Sequence, residues 1–539
     1  MKGIKSFYTG SLFIAMIIFC SCIIGQKIMN NHFKNLYPQN EVFDTDFGNF
    51  LAAQHALYVN DFQAAQKLLS GIQKDVRVAR NERMLAGFFS GKLPDDVDSL
   101  KDSKDLSLRF IYDVSLVKKD DWKTLYKRHG SDKSLLFAPL RIFSAVKQGK
   151  TKEAIKFIDS TDTTDSWKAF LRGQIAVVNN DIELAAKEFA DVSPDFMSVN
   201  DYLYLMSFYR EHEMFEDMEI LKNDFTAKPA GMYVLDYPYI PEWKNFQGVK
   251  NNIAFSMMQS VAHTQVIIFT DISLMLLRFA QNVAENVDND SLNYYLGQYY
   301  LYNKGQYEEA FNNVSKESPL YLFGQMKIAS RNNDFDFIKK SAKKNPLFLP
   351  ATNMALSHHI KNGEKSAALN IVNRALKQKN LNDKARAYFL KKRANVYLMF
   401  DNPKKAQKDL DKVLETENPL ATDNLLLQAR IWNQKNENLQ EAYNYSMMVI
   451  HRNTSNVYAW DLLGCIVNKQ EGVDEALSIM NRVSEIATNV SSLYEHLGDF
   501  YLQKGLKDKA RSAYMQAIDL AEDGLIVVPV VQKKLRKVK

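Results

Sequence analysis

The last part of the chain repeats one pattern of residues at a fixed interval of 34 positions. In the first copy, the large residue Trp460 is followed by the pair Leu463 and Gly464, and then by Ala476 four positions before a second large residue, Met480. The second copy has the same residue types at Tyr494, Leu497, Gly498, Ala510 and Tyr514. A unit of this length is two helices joined by a turn, and it buries its apolar face only by stacking on a neighbouring unit. The repeat therefore predicts an array of helix pairs rather than a domain with one compact core.

The spacing and residue types resemble the tetratricopeptide repeat (TPR) family. A further unit of the same kind occurs at Leu296, Gly297 and Ala310, and the resemblance is strongest over 285–539. It implies an all-α fold, a TPR-type α-solenoid in which helix-turn-helix repeats stack into a superhelix. The sequence contains no strand-like alternation of apolar and polar residues that competes with this interpretation.

The quality of the repeats divides the chain into segments. Residues 46–227 read as an N-terminal degenerate TPR array and residues 251–522 as a C-terminal TPR array. The connection at 228–250 is rich in Pro, Gly and aromatic residues, and proline interrupts helical hydrogen bonding. Its aromatic residues favour packing over ligand binding. The Lys-rich segment 523–539 is predicted to cap the exposed end of the array, with an anionic lipid or nucleic-acid contact as the alternative.

The N-terminus predicts export. Lys2 and Lys5 precede the uncharged apolar stretch Leu12–Ile24, which is the pattern of a secretory signal. We therefore interpret residues 1–29 as a signal peptide or membrane anchor, with the remaining chain periplasmic or anchored facing the periplasm. Lys27 and Lys34 after the stretch leave a cytoplasm-facing anchor as an alternative.

Cys22 is a candidate lipidation site. The sequence Phe19-Cys20-Ser21-Cys22 resembles a bacterial lipobox, although Phe19 replaces the usual leucine. A lipidated Cys22, a cleaved signal and an uncleaved anchor all remain open.

Composition excludes some classes of function. Lys and Arg number 69 and Asp and Glu 63, so the net charge is only +6, and the two signs are interspersed. No basic stripe typical of nucleic-acid binding occurs. Of the three cysteines, only Cys465 lies in the repeats, so no internal disulfide is expected there, and Cys465 is predicted to be a small buried apolar residue.

The sequence lacks the short motifs of catalysis or metal binding. We find no His-x₃-His, no Cys-x₂-Cys, no Gly-x-Ser-x-Gly elbow and no phosphate-binding loop. Glu317-Ser318 resembles the acid of superhelical lytic transglycosylases, but no residues remain after the repeats for their catalytic domain. We therefore expect a protein that is not an enzyme, with no metal, cofactor or small-molecule substrate.

Three residues are candidates for binding a partner. Some TPR domains hold the C-terminal carboxylate of a peptide with Lys and Asn side chains on successive first helices. In register with the repeats, Lys391 and Asn395 match the first pair of that clamp and Gln428 is close to the next position, whereas Tyr458 and Leu462 depart from it.

The resemblance extends to exported TPR proteins of alphaproteobacterial envelopes, which pair an N-terminal signal with a degenerate array. It implies a non-catalytic scaffold that binds a protein or peptide in the groove lined by the first helices. One alternative is a pilotin-like lipoprotein that assists an outer-membrane or secretion complex. A further alternative is a cell-wall hydrolase.

Overall fold

The computed structural model describes residues 46–58, 61–72, 77–228, 231–236, 239–263, 271–286, 288–302, 307–379 and 381–538. These residues contain 28 α-helices and no β-strand. No helix among them is long and apolar enough to cross a bilayer. The predicted N-terminal segment 1–29, with Cys22, lies outside the described residues.

The helices are α1 Asp46–Tyr58, α2 Phe62–Ser70, α3 Arg77–Phe89, α4 Leu106–Lys118, α5 Trp122–His129, α6 Ala138–Lys147, α7 Thr151–Asp159, α8 Asp165–Val178, α9 Ile182–Ala190, α10 Val199–Glu211, α11 Phe215–Thr226, α12 Val249–His263, α13 Asp271–Val283, α14 Asn289–Tyr302, α15 Tyr307–Asn312, α16 Pro319–Arg331, α17 Phe335–Lys344, α18 Leu349–Lys361, α19 Lys365–Leu376, α20 Asp383–Met399, α21 Pro403–Leu414, α22 Thr422–Lys435, α23 Leu439–Arg452, α24 Val457–Gln470, α25 Val473–Ile486, α26 Ser491–Gln503, α27 Lys507–Asp519 and α28 Val528–Lys537.

The chain divides into two compact units, Met1–Ser115 and Leu116–Lys539. In the first unit, α1, α2 and α3 pack in sequence around small apolar side chains, among them Ala53, Ala65 and Ala86, all fully buried. Alanine at these positions lets the helix axes approach closely, as expected for a degenerate repeat.

The turns within the helix pairs are of two kinds. Some contain a glycine with positive φ, such as Gly149, Gly363 and Gly505. In others, the residue before the second helix is an Asp or Asn whose side chain accepts a hydrogen bond from the amide three positions later. Asp121 bonds Thr124 N at 3.1 Å and Asp181 bonds Leu184 N at 3.1 Å. The residue just before this cap is left-handed, with φ of 57° at Asp120 and 58° at Asn180. Asn and Asp tolerate that conformation, so short polar pairs reverse the chain without glycine.

The helices of several pairs are held together by a glycine that faces a large side chain. A Cβ on Gly464 would lie 2.5 Å from Met480 Sδ, and one on Gly498 would lie 2.5 Å from Tyr514 Cδ1. The same contact joins Gly173 to Phe189, a pair that the sequence pattern did not single out. Since no other residue fits this space, the Gly-to-large contact accounts for the Leu-Gly signature. The prediction of an all-α, TPR-type solenoid is confirmed by these stacked helix pairs.

One unit departs from the expected spacing. The pattern from Gly297 and Ala310 places the large partner at Val314, but α15 ends at Asn312. Phe311 fills the space instead, with ring atoms 2.5 Å from a Cβ built on Gly297. A second helix of six residues is too short to carry both the alanine and a large residue four positions later.

The segment 228–250 is packed against its neighbours. Its described residues form two short 3₁₀ turns, Met232–Asp236 and Trp243–Asn245, and the rings of Trp243 and Phe246 are buried. The carbonyl of Pro241 accepts hydrogen bonds from Ser207 Oγ at 2.8 Å and Arg210 Nη2 at 2.7 Å. Helices from both sides of this segment contribute to one hydrophobic cluster. The division into two arrays on either side of it stays a prediction.

The C-terminal segment contacts two places in the second unit. Lys534 Nζ bonds Glu495 at 2.7 Å and Asp499 at 2.6 Å, which holds α28 against α26 at the end of the array. Before α28, Glu522 forms an ion pair with Lys361, and Val527 is buried in the cluster that contains α18 and α19. The segment therefore joins the end of the repeats 349–519 to their beginning.

Candidate functional site

The first helices of the last four units form a continuous surface. α20, α22, α24 and α26 contact one another in turn. Residues 35 positions apart, such as Asn395, Arg430 and Cys465, occupy equivalent places on successive helices. Arg430 Nη1 donates a 2.6 Å hydrogen bond to Asn395 Oδ1, so the first two residues of the row are directly bonded. We call this row and its neighbours on the same helices the first-helix surface.

One side of α24 carries four chemically different side chains. Tyr458, Asp461, Cys465 and Lys469 are separated by three or four residues and therefore lie along one helix face. Tyr458 is 55% exposed, whereas Asp461 is buried and Cys465 is half-buried. The face thus combines an accessible aromatic ring with a partly enclosed polar group.

Asp461 is paired with a histidine on the next first helix. His496 Nδ1 lies 2.7 Å from Asp461 Oδ1, and Ser492 Oγ donates to Asp461 Oδ2 at 2.9 Å. The histidine side chain keeps 34% of its surface exposed, while that of Asp461 keeps 8%. The carboxylate is therefore shielded from water and the imidazole covers it.

The pKa of His496 reflects this pairing. Burial disfavours the charged imidazolium, but attraction to the Asp461 carboxylate and to the Cys465 sulfur outweighs burial and raises the pKa well above its ordinary value. Burial lowers the pKa of Arg430, and the same two neighbours oppose that shift. Asp461 and Cys465 therefore act electrostatically on both adjoining helices.

Asp461, Cys465 and His496 form a group with metal-ligand character. One potential ligand atom from each lies within 4.8 Å of those of the other two. The expectation that Cys465 is merely a small apolar residue overlooked these polar neighbours. The sequence does contain a signal for this group. Cys465 is four residues after Asp461, and His496 is 35 residues after Asp461. Since 35 residues is close to one repeat, His496 is expected near Asp461 on the next first helix.

The three predicted partner-binding residues already have partners in the protein. Lys391 Nζ pairs with Glu417 at 3.0 Å. Asn395 accepts from Arg430, and Gln428 exchanges two 3.0 Å hydrogen bonds with Gln407. The structure connects Asn395 to the first-helix surface through Arg430. A ligand carboxylate that bound Lys391 would have to compete with Glu417.

The residues predicted to shape the repeats occupy interior places. Leu296, Ala310, Leu463, Ala476, Leu497 and Ala510 are buried. Trp460 is half-buried, and its indole Nε1 donates to the carbonyl of Thr454 at 2.9 Å.

A cationic cavity of about 560 Å³ lies on another face of the same array, between α19, α20 and α21. Its lining includes five cationic residues and no acidic one: Arg374, Lys377, Arg386, Arg393 and Lys412. Arg393 is neutralised by Asp409 at 2.6 Å. Arg386 lies roughly 140° around α20 from Lys391, at about 100° per residue, so the cavity is separate from the predicted clamp. The sequence does not indicate this cavity, because its cationic residues come from three helices.

Glu317 does not have the environment of a general acid. It is exposed, and a hydrogen bond from Ser315 Oγ at 2.6 Å is the main reason its pKa is lowered. A glycosidase acid requires the opposite, a carboxyl group whose pKa is raised by burial.

The chain is similar in structure to several solved proteins. A tetratricopeptide repeat protein from Parabacteroides merdae ATCC 43184 matches 46% of this chain and 98% of its own, at 18% identity and a TM-score of 0.35. The APC/C hetero-tetramer Cut9-Hcn1 matches 92% of this chain and 96% of its own, at 14% identity and a TM-score of 0.29. Yeast Tom70 matches 91% of this chain and 96% of its own, at 11% identity and a TM-score of 0.28. No protein-family model and no curated protein sequence matches the chain.

Proposed function

We propose that the chain is a non-catalytic protein-interaction scaffold that binds a segment of another protein on the first-helix surface. The observation that carries this proposal is the exposed ring of Tyr458, which lies on the same face of α24 as Asp461 and Cys465, within the surface that also contains Arg430 and His496. An aromatic ring at the surface supplies a large contact area at low entropic cost, and its hydroxyl can still bond to a partner.

The polar groups beside the ring give the surface specificity. Asp461 and His496 are held in place by each other, and Arg430 is held by Asn395, so a partner would meet fixed donors and acceptors. Preorganised groups bind more tightly because less freedom is lost on association. The aromatic ring would contribute most of the affinity and the polar row would set the orientation.

Site-specific crosslinking in living cells tests this placement. A photo-crosslinking amino acid is introduced at Tyr458, at Arg386 in the cationic cavity, or at Ile486, which is 87% exposed at the end of α25. Mass spectrometry of the products should identify one protein captured from position 458 and not from 486. Capture confined to position 386, or equal capture at all three, would contradict the proposed surface.

We propose that this scaffold acts in the bacterial cell envelope, exported and facing the periplasm. The support is the sequence of residues 1–29, with two lysines before an uncharged apolar stretch. Protease added to spheroplasts should digest the chain, whereas protection until the inner membrane is lysed would place it in the cytoplasm.

A second candidate function is a lipoprotein that assists assembly of an outer-membrane or secretion complex. It is favoured by the lipobox-like sequence that ends at Cys22. Metabolic labelling with a palmitate analogue should mark the wild type and the Cys20→Ser variant but not Cys22→Ser. If the wild type carries no label, this candidate is removed while the scaffold proposal stands.

A further inference from the structure

Three side chains from two adjacent first helices place different donor atoms around one small space. Asp461 and Cys465 are one helical turn apart on α24, and His496 reaches them from α26. Their potential ligand atoms all lie within 4.8 Å of one another. We propose that Asp461, Cys465 and His496 bind a zinc-class divalent metal ion, a role that does not depend on whether the first-helix surface binds a partner.

The donor set selects the class of ion. Zinc binds thiolate sulfur at about 2.3 Å and imidazole nitrogen or carboxylate oxygen at about 2.0–2.2 Å, most often with tetrahedral geometry. Hard ions such as Mg²⁺ and Ca²⁺ prefer all-oxygen sites. Three protein ligands leave the fourth position to water or to an incoming group.

Little movement is needed to form the site. Ligand atoms around a tetrahedral zinc are roughly 3.3–3.8 Å apart, given its bond lengths. The His496 and Asp461 atoms are 2.7 Å apart as a hydrogen-bonded pair, so they must separate by roughly 1 Å. The imidazole is partly exposed, Asp461 and Cys465 are one turn apart on one helix, and all three potential ligand atoms lie within 4.8 Å of one another.

Neighbouring groups orient the ligands. Ser492 Oγ donates to Asp461 Oδ2 at 2.9 Å, the kind of outer contact that fixes a ligating carboxylate. Arg430 orients none of the three ligands, because its guanidinium donates to Asn395 at 2.6 Å. A thiolate and a carboxylate together balance the charge of a divalent ion, so its net charge in the site is neutralised by its own ligands.

The protein contains a natural comparison for this site. His263 Nε2 lies 2.8 Å from Asp201 Oδ2, which is nearly the same pair. Asp201 also accepts from Ser198 N and Ser198 Oγ at 2.8 Å and from Gln259 Nε2 at 2.9 Å. Its acceptor capacity is used up and no thiol lies in the group, so this pair should not bind the ion.

Cobalt titration tests the proposal directly. The full chain is prepared with Cys20→Ser and Cys22→Ser, so that Cys465 is the one remaining cysteine, and is stripped of metal with a chelator. Addition of Co²⁺ should give one equivalent of binding with a thiolate-to-cobalt charge-transfer band, and Zn²⁺ should displace it. Elemental analysis after zinc loading should give one zinc per chain.

Variants separate this site from incidental metal binding. Cys465→Ser should abolish the charge-transfer band, and His496→Gln should weaken Co²⁺ binding at least tenfold, in line with the loss of a ligand. His263→Gln should change neither. The circular dichroism and melting temperature of each metal-free variant are compared with the parent to show that it folds. Absence of the band in the parent, or unchanged affinity in Cys465→Ser, would overturn the proposal.

Discussion

The regions 199–263 and 457–503 contain the same pair of residues in different settings. In each, a buried aspartate bonds a histidine whose side chain is about one-third exposed, at 2.8 Å in Asp201–His263 and 2.7 Å in Asp461–His496. Asp201 also forms a capping box with Ser198 at the start of α10. Asp461 belongs to no cap and has a cysteine beside it. The comparison teaches that neighbouring groups decide whether such a pair is part of the framework or available for binding.

The two regions also fill their interiors differently. Around α10 and α12, the rings of Tyr204, Phe208, Trp243 and Phe255 pack together with centroids 4.6–5.4 Å apart where they touch. In the last repeats, a glycine on one helix admits a large side chain from the next. The interior around α10 and α12 is filled by large aromatic side chains, whereas the helices of the last repeats approach closely because the glycine has no Cβ.

The largest predicted effect is on the aromatic region. Trp243→Ala removes a buried ring that touches Tyr204 and Phe208, and such a cavity costs about 3–5 kcal/mol. Urea unfolding followed by circular dichroism should show an early transition in this variant. A midpoint equal to that of the wild type would mean that the segment 228–250 does not support the core.

The glycine contact predicts a smaller effect. Gly498→Ala places a Cβ 2.5 Å from the Tyr514 ring, and overpacking of this kind costs about 1–3 kcal/mol. Gly505→Asn is the matched control, because Gly505 has φ +78° with open space around it and Asn tolerates that conformation. Combining Gly498→Ala with Tyr514→Leu should destabilise less than the sum of the two changes. Strict additivity would argue against the contact.

The two histidines should depend on pH in the same direction but respond differently to metal. For His263, burial lowers the pKa, but the hydrogen bond and charge of Asp201 outweigh it and raise the pKa. Its stabilising effect is therefore complete below the ordinary histidine pKa of about 6.5 and is lost as pH rises through the higher folded value.

Urea midpoints measured from pH 6 to 9 in the presence of a chelator test this sign. His263→Gln should reduce the fall in the free energy of unfolding just above pH 6.5. His496→Gln should also reduce the fall above pH 6.5, since the Asp461 carboxylate raises the pKa of His496 as well. Parallel pH profiles in the wild type and both variants would contradict the pairing. Without chelator, zinc should raise the midpoint of His263→Gln but not of His496→Gln.

The smallest effect on stability is expected at the proposed contact residue. Tyr458 is 55% exposed, so Tyr458→Ala should change the free energy of unfolding by at most about 0.5 kcal/mol. The same change should weaken binding of the crosslinked partner at least tenfold, as expected for an aromatic anchor. Loss of stability together with loss of binding would assign Tyr458 to the framework instead.

The sequence predicted the repeats well where a contact between two helices depends on a single residue of the repeat pattern. Gly464 and Gly498, which the repeat pattern identified, mark the close approach of two helices. Gly173 plays the same part without the preceding leucine and was missed. Val314 was expected opposite Gly297, yet Phe311 fills that place because α15 is short.

The candidate site was predictable only in part. Asn395 was identified from its register in the repeat, but its bond to Arg430 depends on how two units stack. The cationic cavity and the group at Asp461, Cys465 and His496 were not identified, because each combines residues from separate helices that carry no shared motif. Sequence search for metal sites relies on short intervals, and an interval of about one repeat falls outside it.

The sequence by itself determined the local structure of this protein: its period specifies two helices and a turn, and its glycines and alanines specify which faces approach. Only the tertiary structure decided which distant groups meet. It brought Cys465 and Asp461 to His496, and it brought the carbonyl of Asp523 to within 3.4 Å of Ser357, 166 residues earlier. The physical reason is that each helix pair adds a small rotation to the stack, and contacts between units depend on the accumulated rotation, which no single repeat encodes.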